Sequence, residues 1–229
     1  MLPAPCGDFP QPSRRPRPPG DQRDGKTLTS SHAEVEKCAL ALEWFAEYGP
    51  AILADEPVAL EGGDRVHVSF LPIGTVLAVM PWNFPLWQVI RAAGPIILSG
   101  NGLVLKHAAN VMGCAYALQA AYEASGFPEH LFANLSVSTA TVDGLIADSR
   151  IAAVTVTGSM RAGSAVAAAA GRALKKSLLE LGGADAFIVL ADADLDRAVQ
   201  VGIEARFEDA ADLPSSQALH SRTADRRGV

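Results

Sequence analysis

Two short runs set groups capable of chemistry beside chain features that would hold them still. Pro81-Trp82-Asn83-Phe84-Pro85 closes an apolar run and precedes a helical one, which puts the Asn83 amide at the carboxyl edge of a sheet, where it could donate to a developing negative oxygen. By position alone the commoner use of an asparagine there is a helix cap. Glu180 follows Leu178-Leu179 and precedes Gly182-Gly183, a carboxylate at the lip of an apolar wall. Desolvation there would raise its pKa toward general-base duty, whereas an exposed strand-end glutamate would remain an ordinary surface charge. A third run, Thr157-Gly158-Ser159-Met160-Arg161-Ala162-Gly163, follows an apolar strand and opens an alanine-rich helix. Its free first-turn amides and positive helix end suit a pyrophosphate, and the same residues equally suit a well-capped helix after a tight turn. The pattern is not the three-glycine dinucleotide fingerprint. Lys106, after Val104-Leu105, reads locally as a solvated lysine, and His107 as a residue that packs or meets solvent rather than a ligand.

Positioning these groups takes a sheet, and the apolar runs supply one. Val76 to Met80, Leu103 to Leu105, Leu131 to Leu135, Ala152 to Val156 and Phe187 to Leu190 have strand length and alternate with helical stretches. That alternation predicts an α/β fold, a Rossmann-like and mostly parallel sheet with helices on both faces. Gly100 and Gly126 suit the residue after a helix end, Pro85 a first helical position, and Asn110, Ser159 and Asp194 helix N-caps. Upstream, Ser31 and Glu34 form a capping-box pattern, and Val35, Cys38, Leu42 and Phe45 recur at helical spacing until Gly49-Pro50. Arg65 to Phe70 alternates like a strand between Gly62-Gly63 and Pro72, as an arm or hairpin would. Residues 1–26, crowded with proline, read as a loop-like segment without regular structure.

Composition removes several function classes. The chain has 229 residues, 49% of them hydrophobic, enough for a substantial core. A net charge of -6 and a pI near 5.3 give no concentrated basic face for nucleic acid. No segment reads as a signal peptide or membrane span, so a cytoplasmic location is expected. Cys6, Cys38 and Cys114 are too scattered for a disulfide framework or zinc site and read as apolar fillers or free thiols; no metal is indicated.

The motif Pro81-Trp82-Asn83-Phe84-Pro85, the Gly158-Ser159 turn and the run from Ala173-Leu174-Lys175-Lys176 to Leu179-Glu180-Leu181-Gly182-Gly183 resemble the aldehyde dehydrogenase superfamily, in particular its succinate-semialdehyde branch. The resemblance spans Thr27 to Ala210 and implies the family's NAD(P)-binding domain, with residues 65–72 part of a bridging arm between subunits of a homo-oligomer. In that family a thiol attacks the aldehyde carbonyl, nicotinamide takes the hydride, and a glutamate activates water to release the acid. Carried over, the resemblance implies that Asn83 stabilises the oxyanion and Glu180 acts as the base. Pro81, Trp82, Lys106, Ala109, Gly158, Ser159, Leu181 and Gly182 fall at cofactor-contacting positions, with Lys106 near the adenosine ribose or phosphate. Ala109 stands where NAD-preferring relatives carry a glutamate that would repel a 2′-phosphate, so the cofactor is NADP or NAD.

The resemblance stops near Ala211. Counted from Glu180 without gaps, the family's nucleophilic cysteine falls at Pro214, and residues 211–229 have neither helix nor strand period. Codons compatible with Ala211 to Arg222, read one base later, permit Gln-Thr-Cys-Leu-Gln-Ala-Lys-Arg-Phe-Ile-Leu, which is how the family continues. A similar shift before Gly25-Lys26 restores family-like residues. The expectation is therefore a truncated chain with out-of-frame ends, lacking the catalytic domain and the thiol and inactive alone. The alternatives are a non-catalytic fragment that binds a dinucleotide or pairs with an intact subunit, and an intact enzyme whose frame was misread. Loss of the catalytic domain would also bare apolar surface.

Overall fold

The computed structural model describes residues 28–59, 65–183, 186–190 and 192–207. The expected out-of-frame ends, including Pro214, lie outside the described residues.

The core is a five-stranded parallel sheet. Its strands are β3 (Thr75–Val79), β4 (Gly102–Lys106), β5 (Phe132–Asn134), β6 (Ile151–Gly158) and β7 (Lys176–Leu181). Their order across the sheet is β5-β4-β3-β6-β7. Starting at β3, the chain winds outward through β4 to β5, then returns to the other side of β3 for β6 and β7. The direction of winding therefore reverses between β3 and β6, and open α/β sheets hold ligands outside the carboxyl ends of the strands at such a switch point. Two short strands, β1 (Glu56–Val58) and β2 (Val66–Val68), form a separate antiparallel ribbon where the arm or hairpin was expected.

Helices cover both faces, and the period-2 alternation of the strands assigns each side chain to one of them. On one face Ala78, Leu103 and Leu105 pack against Cys38 of α1 (Leu28–Ile52), Val89, Ile90 and Ala93 of α2 (Trp87–Leu98) and Leu118 of α3 (Met112–Ala124). On the other, Leu77, Val154 and Val156 pack against Ile146 of α4 (Val142–Ala147) and Val166 and Ala169 of α5 (Met160–Arg172). The buried leucines each contribute roughly 1.5–3 kcal/mol by leaving water. The last helix, α6 (Leu195–Phe207), starts at Asp194, whose carboxylate accepts from the Arg197 amide at 3.0 Å, as its cap assignment predicts. Among the described residues no helix is long and apolar enough to cross a membrane.

Several local expectations are corrected. Helix α1 begins before Ser31, so Ser31 lies inside it, and it continues past Gly49-Pro50 to Ile52. Helix α2 starts at Trp87 rather than at Pro85. Asn110 sits in a single 3-10 turn, Ala109–Val111, and not at a cap. Phe187 to Leu190 forms no strand; the fifth strand of the sheet is β7, which begins at Lys176, eleven residues before Phe187. Cys38 is buried and outside any disulfide, whereas Cys114 is disulfide-bonded and not the free thiol or simple filler that its isolation in the sequence suggested. Gly100 (φ 82°) and Gly126 (φ 79°) do follow helix ends in the left-handed region.

Candidate active site

The register of the sheet brings the sequence candidates to one edge. Val79, the last residue of β3, pairs with Lys106 on one side and Val156 on the other. Thr157 and Gly158 of β6 pair with Glu180 and Leu181 of β7. The Pro81–Pro85 turn, Lys106, Gly158-Ser159 and Glu180-Leu181 therefore leave the carboxyl ends of four adjacent strands, around the β3/β6 switch point.

Asn83 lies half-buried in the bend that joins β3 to α2. It does not cap α2, whose N-cap is Leu86 without a side-chain cap bond. Among the described residues its amide has no hydrogen-bond partner, so its N–H groups are available to an oxygen in the crevice. The next residue, Phe84, is held at φ 48°, a left-handed conformation costly for a bulky residue and more so before a proline. Pro81 and Trp82 are half-buried on the same turn.

Ser159 is the N-cap of α5 and accepts from the Ala162 amide at 3.3 Å. The amides of Met160 and Arg161 have no acceptor within the helix and face outward with the positive end of the dipole. At Gly158 the nearest atom to an added Cβ would be Ala162 Cβ at 3.9 Å, which leaves open space in front of those amides. Gly163, one turn on, has the opposite need: a Cβ there would overlap the Leu181 side chain, so its lack of one lets α5 lie close on β7.

Lys106 departs from the local reading in the burial of its stem. It is 8% exposed, and among the described residues its ammonium has neither a hydrogen bond nor an ion pair. The burial is that of the aliphatic stem: Lys106 Nζ is not among the buried side-chain atoms without a partner, so the ammonium sits at the surface of the crevice, where an anion or a set of hydroxyls could reach it. His107 is fully buried. Its Nδ1 accepts from the Ala108 amide at 2.9 Å, which fixes the proton on Nε2, 2.9 Å from the Pro85 carbonyl it donates to. Burial pushes its pKa down, opposed by the hydrogen bond to Pro85. Ala109 is exposed just beyond, at the start of the 3-10 turn, and Gly182 is exposed at the end of β7.

Glu180 is not desolvated as the sequence reading expected. Its side chain is 46% exposed and meets Arg91 Nη1 at 3.2 Å. Arg91, on α2, also donates to Gln88 Oε1 at 3.2 Å and Thr157 Oγ1 at 3.3 Å. Sequence reasoning missed this arginine; its one available signal was a cation two helical turns after Asn83. All of β7 before Leu181 is exposed, with Leu178 59% and Leu179 37% exposed, and Ile188 and Leu190 beyond it are exposed too, in line with the expected apolar surface.

A parallel sheet wound in two directions from its central strand, with an open helix N-terminus at the switch point and a lysine at the end of the neighbouring strand, defines a Rossmann-like nucleotide-binding class of domain. The model of the aldehyde dehydrogenase family matches residues 22–212, and the chain belongs to that family. It is 53% identical over 184 residues to the succinate semialdehyde dehydrogenase [NAD(P)+] Sad of Escherichia coli K12, covering 80% of this chain and 40% of that protein. Against succinate-semialdehyde dehydrogenase [NADP(+)] 1 of Mycobacterium tuberculosis H37Rv identity is 46% over 186 residues, with 80% and 41% covered. The solved structure of succinic semialdehyde dehydrogenase from Streptococcus pyogenes in complex with NADP+ matches with TM-score 0.82 and 35% identity, over 88% of this chain and 44% of that one. The chain thus spans about 40% of the length of the curated relatives it matches.

Proposed function

We propose that this chain is the cofactor-binding part of an NAD(P)-dependent succinate-semialdehyde dehydrogenase, that it binds the dinucleotide at the β3/β6 switch point, and that it does not oxidise aldehydes by itself. The observation that carries this reading is the open amino end of α5 at Gly158-Ser159 on the β3/β6 switch point, with Lys106 at the same carboxyl edge of the sheet. The donor set fits a dinucleotide: the α5 amides and Ser159 would hold the pyrophosphate, with Gly158 leaving room for its approach, and Lys106 would meet the adenosine ribose or its 2′-phosphate. When bound, the nicotinamide supplies the hydride acceptor. Pro81, Trp82, Leu181 and Gly182 would border it.

Within that arrangement the Asn83 amide would donate to the oxygen of an attacked carbonyl, a preorganised contact that costs no reorientation. Glu180 would take a proton from water once released from Arg91. The relatives' names describe a substrate that carries a carboxylate as well as an aldehyde, and Arg91 is a cation suited to that carboxylate; its arrival would also release Glu180. The sequence has proline where the family's nucleophile is expected, so that position supplies no thiol for the covalent intermediate. We assign residues 27–210 to this domain and the protein to the cytoplasm, with 65–72 part of an arm toward other subunits.

Calorimetry of the purified chain with NADP and NAD, followed by a spectrophotometric assay with succinate semialdehyde, tests the reading. The expected result is a binding isotherm with no reduced cofactor formed. Absence of heat with both cofactors overturns the binding role, and turnover overturns the inactivity. A further outcome is expected at Ala109, which is exposed beside Lys106: Ala109→Glu should weaken NADP by about 10-fold or more through repulsion of the 2′-phosphate, and leave NAD within about 3-fold. Equal losses for the two cofactors would place the ribose elsewhere.

The bare β7 supports a second reading, a subunit-interacting fragment. Co-purification with an intact relative, in the absence of any cofactor heat, would favour it over the first.

A further inference from the structure

The turn that carries Asn83 is strained at Phe84, and a strained turn keeps its shape only where its surroundings impose it. Two buried polar groups from distant parts of the chain do so. Glu34, on α1 and 4% exposed, accepts with one oxygen from the amides of both Leu86 (2.7 Å) and Trp87 (2.8 Å). These are donors at the start of α2 that the helix itself leaves unsatisfied, and a carboxylate there also meets the positive end of the dipole. His107, at the end of β4, donates from Nε2 to the Pro85 carbonyl while Nδ1 is occupied by the Ala108 amide. Three consecutive residues after Phe84 are therefore each held by a buried side chain, and neither Glu34 nor His107 is among the groups assigned above to cofactor or substrate.

We propose that Glu34 and His107 are positioning residues for the active-site turn, holding Phe84 in its left-handed conformation and so the Asn83 amide at the mouth of the crevice. The inference deepens the functional reading above and rests on it for its consequence, although the grip itself is measurable without any ligand. His107 works only as the neutral Nε2–H tautomer: a second proton on Nδ1 would turn the Ala108 amide from donor into a repelled neighbour. Burial lowers its pKa in the sense that preserves this state, and Lys106 acts in the same direction, while the hydrogen bonds to the Pro85 and Met80 backbone and the charge of Glu34 act against it.

The test uses the 229-residue chain, labelled for nuclear magnetic resonance, with the variants E34Q, E34D, E34L, H107Q and H107L. Gln at 34 keeps an oxygen for both amides, and Gln at 107 keeps the Nε2 donor. In the wild type, ligand-free, one of the five histidines should be an Nε2–H tautomer that stays neutral between roughly pH 5 and 8 while exposed histidines titrate. The Leu86 and Trp87 amides should lose about 10-fold or more of their hydrogen-exchange protection in E34L and E34D but not in E34Q. The Asn83 side-chain amide signals should move in E34L and H107L and return toward wild type in the two glutamine variants. With NADP, affinity should fall about 10-fold in the leucine variants and stay within about 3-fold in the glutamine variants.

Should E34L fail to fold, E34D, one methylene shorter, carries the same exchange comparison. Unmoved Asn83 signals in the leucine variants, or equal losses in leucine and glutamine variants, would overturn the proposal. If the wild type binds neither NADP nor NAD, the functional reading fails, while the tautomer, exchange and Asn83 signals still decide the grip.

Discussion

Gly158→Val should weaken NADP binding about 30-fold or more, a loss of about 2 kcal/mol, while the fold survives. The two effects separate because of where the glycine sits. A Cβ at 158 finds its nearest neighbour at 3.9 Å, so the branch point of valine is accommodated, and a β-branched residue suits the end of a strand. The added methyl groups instead fill the space in front of the Met160 and Arg161 amides, where a pyrophosphate would have to approach. Calorimetry gives the affinity, and a thermal midpoint within about 2 °C of wild type shows that the domain is intact. Raising the salt should weaken the wild type further, since the contact is to an anion. Wild-type affinity in Gly158→Val would move the pyrophosphate away from α5 and leave the Ser159 turn as a plain helix cap, the reading that the sequence alone left equally open.

What the sequence disclosed and what it concealed follow from the range of the interactions. Strands β3, β4 and β6 are interior, covered on both faces, and so read as continuous apolar runs; Ser159 caps its helix through a neighbour three residues away. Such signals are local. Strand β7 escaped because Lys176 to Leu181 mixes charge with leucine and is largely exposed at the sheet's edge, while the more apolar Phe187 to Leu190 looked like the better strand and pairs with no strand among the described residues. The site was half legible in the same sense. Asn83, Gly158 and Glu180 stand in motifs whose spacing is local, whereas the partners that set their surroundings do not: Glu34 reaches Leu86 across 52 positions and Arg91 reaches Glu180 across 89. Glu34 is the instructive case. Its pairing with Ser31 spelled a local capping box, yet its carboxylate caps a different helix, a choice that exists only once α1 lies against α2.

That contact depends on glycine, and Gly94→Val should be the most damaging single change to the core, costing about 2–4 kcal/mol. Gly94 is buried on the face of α2 turned to α1, and a Cβ there would lie 2.5 Å from Phe45 Cδ2 and 2.7 Å from its Cε2. The contact is reciprocal, since a Cβ on Gly49 of α1 would overlap Leu98 of α2. Each helix thus offers a notch to a large side chain of the other, and the backbones approach more closely than any side chain would allow. Valine at 94 must expel the Phe45 ring or part the helices, which outweighs the helix propensity gained on leaving glycine, about 0.5 kcal/mol. Urea denaturation measures the loss, and Phe45→Leu, mildly destabilising by itself, should recover part of it in the double variant because the smaller side chain vacates the notch. A full cost unchanged by Phe45→Leu would put the clash in the backbone rather than at this ring. The site should register the same displacement: parting α1 from α2 draws Glu34 off the Leu86 and Trp87 amides, so Gly94→Val should lose protection there before the sheet opens, and the double variant should regain protection and stability together.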